Sequence, residues 1–186
     1  METDLATMGT KAPYYGNIAV AAMLGNLRTT AVTIASIALP SDGEAAYAAY
    51  TGQGTTKSLR RVLVLNMQSY NTTVDGAGLV PLAGAAAAAR GSKTYSFGGL
   101  PAGAQVAIQR LMANGSDAIT GITWDGWSYN YELDGGRPVR QANVTVGEAV
   151  VVGTDGSVNV TVPDSSAAIL TIRTPCPKRS KREVSF

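Results

Sequence analysis

The distribution of apolar residues along the chain changes at Thr29. From there to residue 173 the sequence consists of short runs rich in Val, Ile, Ala, Leu and Tyr, each interrupted by Gly, Asp, Asn or Pro. This spacing predicts an all-β fold, an antiparallel β-sandwich or barrel of about eight strands, rather than a βαβ fold. The eight runs, with no helical stretch between them, lie at residues 29–39, 45–52, 60–70, 93–100, 104–113, 121–133, 148–156 and 157–173.

One short α-helix is predicted ahead of the strands, over residues 11–27. A proline lies near its start, one side is apolar, and Gly25 provides a stop signal. The apolar stretch 18–39 is not predicted to cross a membrane, because Gly25 and Arg28 interrupt it and a span needs about 20 mostly apolar residues.

The run at residues 60–70 is apolar on both faces of the predicted strand. Val62 and Val64 alternate with Leu63 and Leu65, whereas a sandwich strand normally needs only one apolar face. We therefore expect a helix, a loop or a separate domain to cover the second face.

The aromatic stretch at residues 121–136 has two interpretations. Trp124 shares one strand parity with Ile122, whereas Trp127 and the tyrosines that follow have the opposite parity. A β-bulge at Asp125 and Gly126 would bring both sets to one side as a continuous stripe of the core, which is the favoured interpretation.

The alternative is that Trp124 and Trp127 stack on sugar rings, with Asp125, Glu132 and Asp134 as polar partners. A glycosidase needs two carboxyl groups about 5 to 10 Å apart. On one extended strand, at about 3.3 Å per residue, Asp125 and Glu132 would be about 23 Å apart. This pair therefore does not predict a catalytic site.

The composition excludes several classes of chemistry. The 186 residues include no histidine, which removes the usual general base and the commonest transition-metal ligand. The one cysteine, Cys176, lies between two prolines and is predicted to be a free thiol. Residues 177–186 hold four basic residues and one acid, which leaves a net charge of −1 on the remaining 176 residues of a chain whose total is +2. We expect no cofactor, no nucleic-acid partner and no membrane partner.

Three further segments carry local signals. Residues 154–157, Thr-Asp-Gly-Ser, predict an Asp-Gly hairpin turn. The alanine run at 84–91 is too short to form a stable isolated helix, and together with the preceding residues 72–84 it predicts a long surface loop between strands. The basic residues after Pro175 predict a solvated tail.

Half of the eight asparagines lie in Asn-x-Ser/Thr sequences. Such sites belong to the surfaces of secreted proteins, so we expect an extracellular location. The first ten residues carry two acids and no apolar core, which is not typical of a signal peptide. Glycosylation sequences without a signal peptide lead us to expect that an N-terminal part is missing. The candidate N-glycosylation sites are Asn71, Asn114, Asn143 and Asn159.

Several motifs, in order along the chain, carry a family resemblance. They are PYYGNIAVAAMLG, AAYAAYTG, RRVLVLNMQSYN, QRLMANGSDAITGITWDGWSY and GEAVVVGTDGSVNVTVPDSSAAILTI. Together, over roughly residues 12–173, they resemble the C-terminal region of fungal β-glucuronidases of glycoside hydrolase family 79, relatives of heparanase. These are structural residues, so the resemblance identifies a module better than an activity. The alanine run and the basic tail do not resemble the family.

The resemblance implies a specific architecture. In the family a (β/α)8 barrel carries two catalytic glutamates and a β-sandwich packs against it; neither glutamate has a counterpart here. A barrel takes about 250 residues, so it cannot share this chain with eight strands. Residues 1–28 are expected to hold a helix similar to the last barrel helix, 29–175 the sandwich, and 176–186 a basic disordered tail. The family also implies that a segment preceding the barrel adds to the sandwich, so this chain is expected to expose an unpaired edge.

The resemblance favours an accessory β-sandwich of a β-glucuronidase, which supports a catalytic barrel and supplies no catalytic residue itself. A stand-alone carbohydrate-binding module that contacts a glucuronide or glycan through Trp124 and Trp127 is the main alternative. A free-standing enzyme and an unrelated adhesion-type sandwich are further ones.

Overall fold

A computed structural model describes residues 12–83, 88–142 and 144–173. The sequence predicts an antiparallel β fold with one short N-terminal helix, and this is confirmed. Helix α1 (Ala12–Leu24) comes first, and a second helix of a single turn, α2 (Tyr131–Asp134), was not predicted. The strands are β1 (Val32–Ile37), β2 (Glu44–Thr51), β3 (Ser58–Asn66), β4 (Ser92–Phe97), β5 (Gln105–Met112), β6 (Thr123–Trp124), β7 (Trp127–Ser128), β8 (Val139–Arg140), β9 (Glu148–Val151), β10 (Val158–Pro163) and β11 (Ser166–Arg173).

The strands form two antiparallel sheets of unequal size. The large sheet has nine strands in the order β1-β2-β3-β11-β5-β6-β7-β8, with β9 paired to the first half of β5. In the part of the chain that the structure describes, the small sheet consists of β4 and β10. The result is an open, sandwich-like arrangement and not a closed barrel.

The main core lies between the two sheets. Alternate residues of β10 point inward, and Val158, Val160 and Val162 are buried while Asn159 and Thr161 are exposed. They pack on the facing side chains of β3, β5 and β11. The sheets are also joined by polar groups: Arg110 donates from Nη1 to the Thr161 carbonyl at 2.8 Å, and Lys93 forms an ion pair with Glu44.

Strand β3 is apolar on both faces, as predicted. Val62 and Val64 belong to the core between the sheets, whereas Leu63 belongs to a second cluster on the opposite face. Helix α1 contributes Tyr15, Ala19 and Met23 to this second cluster. The sequence left open whether a helix, a loop or a separate domain covers the second face of β3. The structure shows that helix α1 covers it.

The prediction for the aromatic stretch is wrong in two respects. Asp125 and Gly126 form a two-residue turn with φ angles of 47° and 78°, the conformation of a type I′ hairpin, so the segment folds back and is not one bulged strand. The aromatic side chains also do not form a continuous core stripe, since Trp124 is buried whereas Trp127 and Tyr131 are exposed.

The turn at residues 154–157 is confirmed as a tight hairpin turn, since the Gly153 amide donates to the Ser157 carbonyl at 2.9 Å. The Gly156 amide donates to the Gly153 carbonyl at 3.0 Å and the Ser157 amide to the Asp155 carboxylate at 3.0 Å. The strands on either side, β9 and β10, belong to different sheets. The turn therefore carries the chain from one layer to the other.

Parts of several predictions lie outside the described residues. They include residues 1–11 of the N-terminal segment, 84–87 of the alanine run, Asn143, and the basic tail with Cys176. The division at residues 28 and 175 stays a prediction.

Candidate functional site

The face of the large sheet that carries α1, called here the helix face, is the candidate functional surface. The helix is held on it chiefly by Tyr15, whose side chain is fully buried. The Tyr15 hydroxyl accepts a hydrogen bond from the Tyr129 amide at 2.8 Å and donates to Asn130 Oδ1 at 3.4 Å. It also lies 3.3 Å from Ser128 Oγ. These contacts fix the start of α1 to the end of the β6–β7 hairpin.

Three tyrosine rings strengthen this attachment. The ring of Tyr129 meets those of Tyr14 and Tyr15 edge to face, with centroids 5.6 and 6.0 Å apart. Such edge contacts add to the stabilisation that comes from burial. Burial, with the neighbouring tyrosines, raises the pKa of Tyr129 above its ordinary value. The phenol therefore stays neutral and suits a packing role.

The other end of α1 is held by an arginine of the sheet. Arg61 of β3 donates from Nη1 to the Met23 carbonyl at 3.4 Å. A guanidinium at a helix C-terminus satisfies a carbonyl that has no partner in the helix and interacts favourably with the helix dipole. Both ends of the helix are thus attached to the sheet by side chains far from it in sequence.

The helix covers only the middle of the helix face. Ile34 lies opposite Ala49 and Tyr47 lies opposite Leu63, so both share the side on which α1 sits. Trp127 is likewise paired with the buried Trp124. Of the described residues, five large apolar side chains remain exposed on this side, counting one on the outer surface of the helix: Val20, Ile34, Tyr47, Trp127 and Val151.

The opposite face of the large sheet differs. Among the residues that the structure describes, none of the exposed large hydrophobic side chains lies on the face that meets the small sheet. Monomeric proteins rarely leave a large contiguous apolar patch in water, and such patches mark interaction surfaces. The asymmetry makes the helix face the candidate binding surface.

The two tryptophans of the sugar-contact hypothesis have different environments. Trp124 is only 6% exposed, and a buried ring cannot stack on a sugar. Trp127 is 40% exposed, and the Arg140 guanidinium lies 5.6 Å from its ring centroid. Only Trp127 is therefore available for contact with a ligand or partner.

The carboxylates near this surface lie in two separate local settings. Asp125 lies in the hairpin turn, and Gln109 donates to it at 3.4 Å. Glu132 and Asp134 are exposed on α2, where Asp134 lies 3.8 Å from Arg137. Within the described ranges no three His, Cys, Asp or Glu side chains are grouped so as to hold a metal ion. No described helix is both long and apolar enough to span a membrane.

Three of the four candidate glycosylation asparagines are described, and all are exposed: Asn71, Asn114 and Asn159. Asn159 points outward from the small sheet, on the side away from the core. Its neighbours there are hydroxyl groups, including a hydrogen-bonded pair at 2.8 Å between Thr94 and Thr161. This outer face is polar, in contrast to the helix face.

Sequence reasoning did not find the residues that attach α1. Tyr15 is separated from its partners Ser128 and Asn130 by 113 and 115 positions. Nothing local marks such pairs. The one indication was the two-faced pattern of β3, which required a cover without naming the groups that hold it.

The fold and the site together define an open β-sandwich module with one face closed by a small sheet and the other half-covered by a helix. The chain belongs to the family described as the glycosyl hydrolase family 79 C-terminal beta domain, whose model matches residues 46–169.

Two curated relatives are each named "Beta-glucuronidase". The Aspergillus niger protein is 50% identical over 175 residues, which covers 91% of this chain and 30% of the relative. The Neurospora crassa protein is 46% identical over 195 residues, which covers 90% of this chain and 34% of the relative. This chain therefore spans about a third of the length of the relatives that it matches.

Proposed function

We propose that this chain acts as the accessory β-domain of a β-glucuronidase-like glycoside hydrolase. Its helix face packs against a (β/α)8 catalytic domain, which supplies the catalytic glutamates. The domain contributes stability and geometry to the enzyme and no catalytic residue. The observation that carries this proposal is the distribution of exposed large apolar side chains on the large sheet, confined to the helix face.

The composition of α1 supports this use of the helix face. Apart from the two tyrosine hydroxyls, Asn17 is the one polar side chain between Ala12 and Leu24, and Val20 on the outer side is 52% exposed. A helix that is apolar all round is typically buried on all sides. A further protein layer over α1 would meet that requirement.

The residue types on the helix face are also those of strong interfaces. Trp, Tyr and Arg dominate the binding energy of protein interfaces, and Tyr47, Trp127 and Arg140 lie on this side. Both relatives named as β-glucuronidases have about two thirds of their length outside the matched region. That length is sufficient for a barrel of about 250 residues.

The test is association with a catalytic part. This chain is co-expressed with the unmatched two thirds of the Aspergillus niger relative, so that neither part has to fold alone, and co-purification and glucuronidase activity are measured. We expect a stable complex that Val20→Glu weakens at least about tenfold. The matched control is Thr94→Glu on the polar outer face of the small sheet, which should leave the complex intact. Failure of the unaltered chain to associate, or equal binding by both variants, would contradict the proposal.

Open strand edges provide a second point of attachment. β1 pairs only with β2, and neither β4 nor β10 has a second partner within the described residues. An unpaired edge offers backbone amides and carbonyls to an added strand. A segment that precedes the barrel in the parent enzyme would fill one of these edges.

The parent enzyme is proposed to be extracellular and glycosylated. The exposed acceptors Asn71, Asn114 and Asn159 support this assignment. Expression in a secreting fungal host, followed by peptide mass spectrometry, tests it. We expect glycan at Asn159 at least, because its side chain points to solvent from the polar face.

A carbohydrate-binding role is the second candidate, and the exposed pair of Trp127 and Arg140 favours it. A uronic acid ring can stack on an indole while a guanidinium holds its carboxylate. Titration with glucuronic acid and a glucuronoglycan tests this role. Loss of measurable affinity on Trp127→Ala, with the fold intact, would support it.

A further inference from the structure

A separate element projects from the loop that follows β3. Residues 72–82, called here the finger, fold back on themselves at a narrow neck. The Val74 amide donates to the Val80 carbonyl at 2.8 Å, and the Leu82 amide donates to the Thr72 carbonyl at 2.8 Å. Between these two hydrogen bonds Thr73 and Pro81 pair as an isolated antiparallel bridge. The finger is therefore an ordered hairpin-like loop.

Large apolar side chains are exposed on the finger, beside the exposed carboxylate of Asp75 at its turn. Leu79 is 74% exposed, the largest value among the large hydrophobic residues described, and Val80 is 60% exposed. Val74 is exposed on the same finger. Single exposed apolar residues are common on protein surfaces and need no explanation. Three within seven positions of one loop, where polar residues usually predominate, indicate a contact surface.

The base of the finger is held by one carboxylate. Asp117, in the loop after β5, accepts hydrogen bonds from the Thr72 amide at 3.0 Å and the Thr73 amide at 2.7 Å. It also accepts from the hydroxyls of both threonines. These hydrogen bonds, chiefly the one from the Thr73 hydroxyl, lower the pKa of Asp117 to about 2.

Close packing fixes the end of the finger as well. The Gly78 amide donates to Thr73 Oγ1 at 2.8 Å. A Cβ at Gly78 would lie 2.6 Å from the Asp117 carbonyl oxygen and 2.8 Å from Ile119, and its φ is 74°. Only glycine fits this position without displacement. The exposed apolar side chains are thus presented in a fixed orientation, which lowers the entropic cost of binding.

We infer that the finger inserts Leu79 and Val80 into an apolar recess of the catalytic domain of the same enzyme. This inference rests on the proposed function and adds to it a specific anchor outside the helix face. The occupant is chosen because the matched relatives carry about two thirds of their chain beyond the region shared with this protein.

The position of the finger also favours that occupant. Gly78 packs on the loop that holds Asp117 and Ile119. Gly115 and Ser116 of that loop line a cavity of about 260 Å³ together with Ala12 and Tyr15 at the start of α1. The loop on which the finger packs therefore reaches the N-terminal end of α1, so one partner can contact both the finger and that end of the helix face.

The test uses the co-expressed pair described above, with the apparent dissociation constant taken from the fraction of the complex that remains on dilution, measured by size-exclusion chromatography. The double substitution Leu79→Ser with Val80→Ser should weaken binding at least about tenfold. Ala77→Ser, an exposed position of the same finger, is the matched control and should bind as the unaltered chain does. Leu79→Met retains the apolar volume and should keep most of the affinity. Equal thermal midpoints for the isolated variants would show that the fold is unchanged.

The possible results separate the two proposals. If the unaltered chain does not bind, both the proposed function and the finger inference fail. If it binds and the double variant binds equally well, only the finger inference fails. If the double substitution instead abolishes self-association measured by light scattering, the occupant is a second copy and the inference is also overturned.

Discussion

The two faces of the large sheet carry similar side chains but are covered in different ways. Among the described residues, the core between one face and the small sheet contains 15 buried hydrophobic residues, those of the small sheet included. On the helix face the buried cluster has 9, and large apolar residues remain exposed around the helix. A face covered by a second sheet is self-sufficient, whereas a face covered by one apolar helix retains an interface for a further protein layer.

The largest effect that tests this comparison comes from two adjacent residues of β11 on opposite faces. Leu170→Ala leaves a cavity between two sheets that cannot close, and we expect a loss of about 4 kcal/mol in the free energy of unfolding. Ile169→Ala on the helix face should cost about 2 kcal/mol, because α1 can shift into the space. Urea unfolding of both variants measures the difference. Equal losses would show that the helix is as rigid a cover as the small sheet.

A smaller effect is expected from the hydroxyl that attaches the helix. Tyr15→Phe keeps the ring but leaves the Tyr129 amide without its 2.8 Å partner, which should cost about 1 to 2 kcal/mol. Ala12→Ser, near the same end of α1 and exposed, is the control. Urea unfolding combined with near-ultraviolet circular dichroism checks the result. An unchanged midpoint and spectrum would argue that the tyrosine rings alone hold the helix.

Acid should weaken the hydrogen bonds at the base of the finger. The resulting loss of stability should be smaller than the loss caused by Tyr15→Phe. Asp117 has a pKa lowered to about 2 from 3.8, so its carboxylate stabilises the folded chain fully above the unfolded value. That contribution is lost as pH falls through about 2. Thermal unfolding followed from pH 6 to pH 2 should show a steeper decline for the unaltered chain than for Asp117→Asn. Parallel pH profiles would contradict the assignment.

The smallest effect is predicted on the outer surface of the helix. Val20→Ser should change the free energy of unfolding of the isolated chain by no more than about 0.5 kcal/mol, since the side chain is 52% exposed. Thermal unfolding measures this. A loss above about 1 kcal/mol would mean that Val20 already packs within the chain, and the helix face would then be better covered than the structure indicates.

The sequence predicted the features that depend on local alternation. The runs that became β1 to β5 and β9, the helix before them, and the two apolar faces of β3 all follow from side-chain periodicity. The run at 157–173 was predicted as one strand, which is wrong, because the chain turns at Ser165 and forms β10 and β11 in different sheets. At Asp125 and Gly126, side-chain periodicity alone does not determine the backbone conformation. A parity change can arise from a bulge or from a two-residue turn, and the Asp-Gly pair, which itself favours the turn, was interpreted as a bulge.

The contacts that define the candidate surface were beyond local reasoning. The attachment of Tyr15 to Asn130 and of Asp117 to Thr73 joins residues 115 and 44 positions apart. Polar side chains such as these occur in many loops, and only the topology brings the pairs together. The finger was predicted as part of a surface loop, but its ordered neck and exposed apolar side chains could not be inferred from that.

Hydroxyl-radical footprinting of the co-expressed complex tests the central claim most directly. Oxidation of Tyr47 and Trp127 on the helix face should fall several-fold when the catalytic part is bound. Oxidation of Phe97, a partly buried residue of the small sheet, should stay the same. Unchanged oxidation of Tyr47 and Trp127 in a complex that is otherwise formed, or protection of Phe97 instead, would contradict the assignment of the helix face as the interdomain surface.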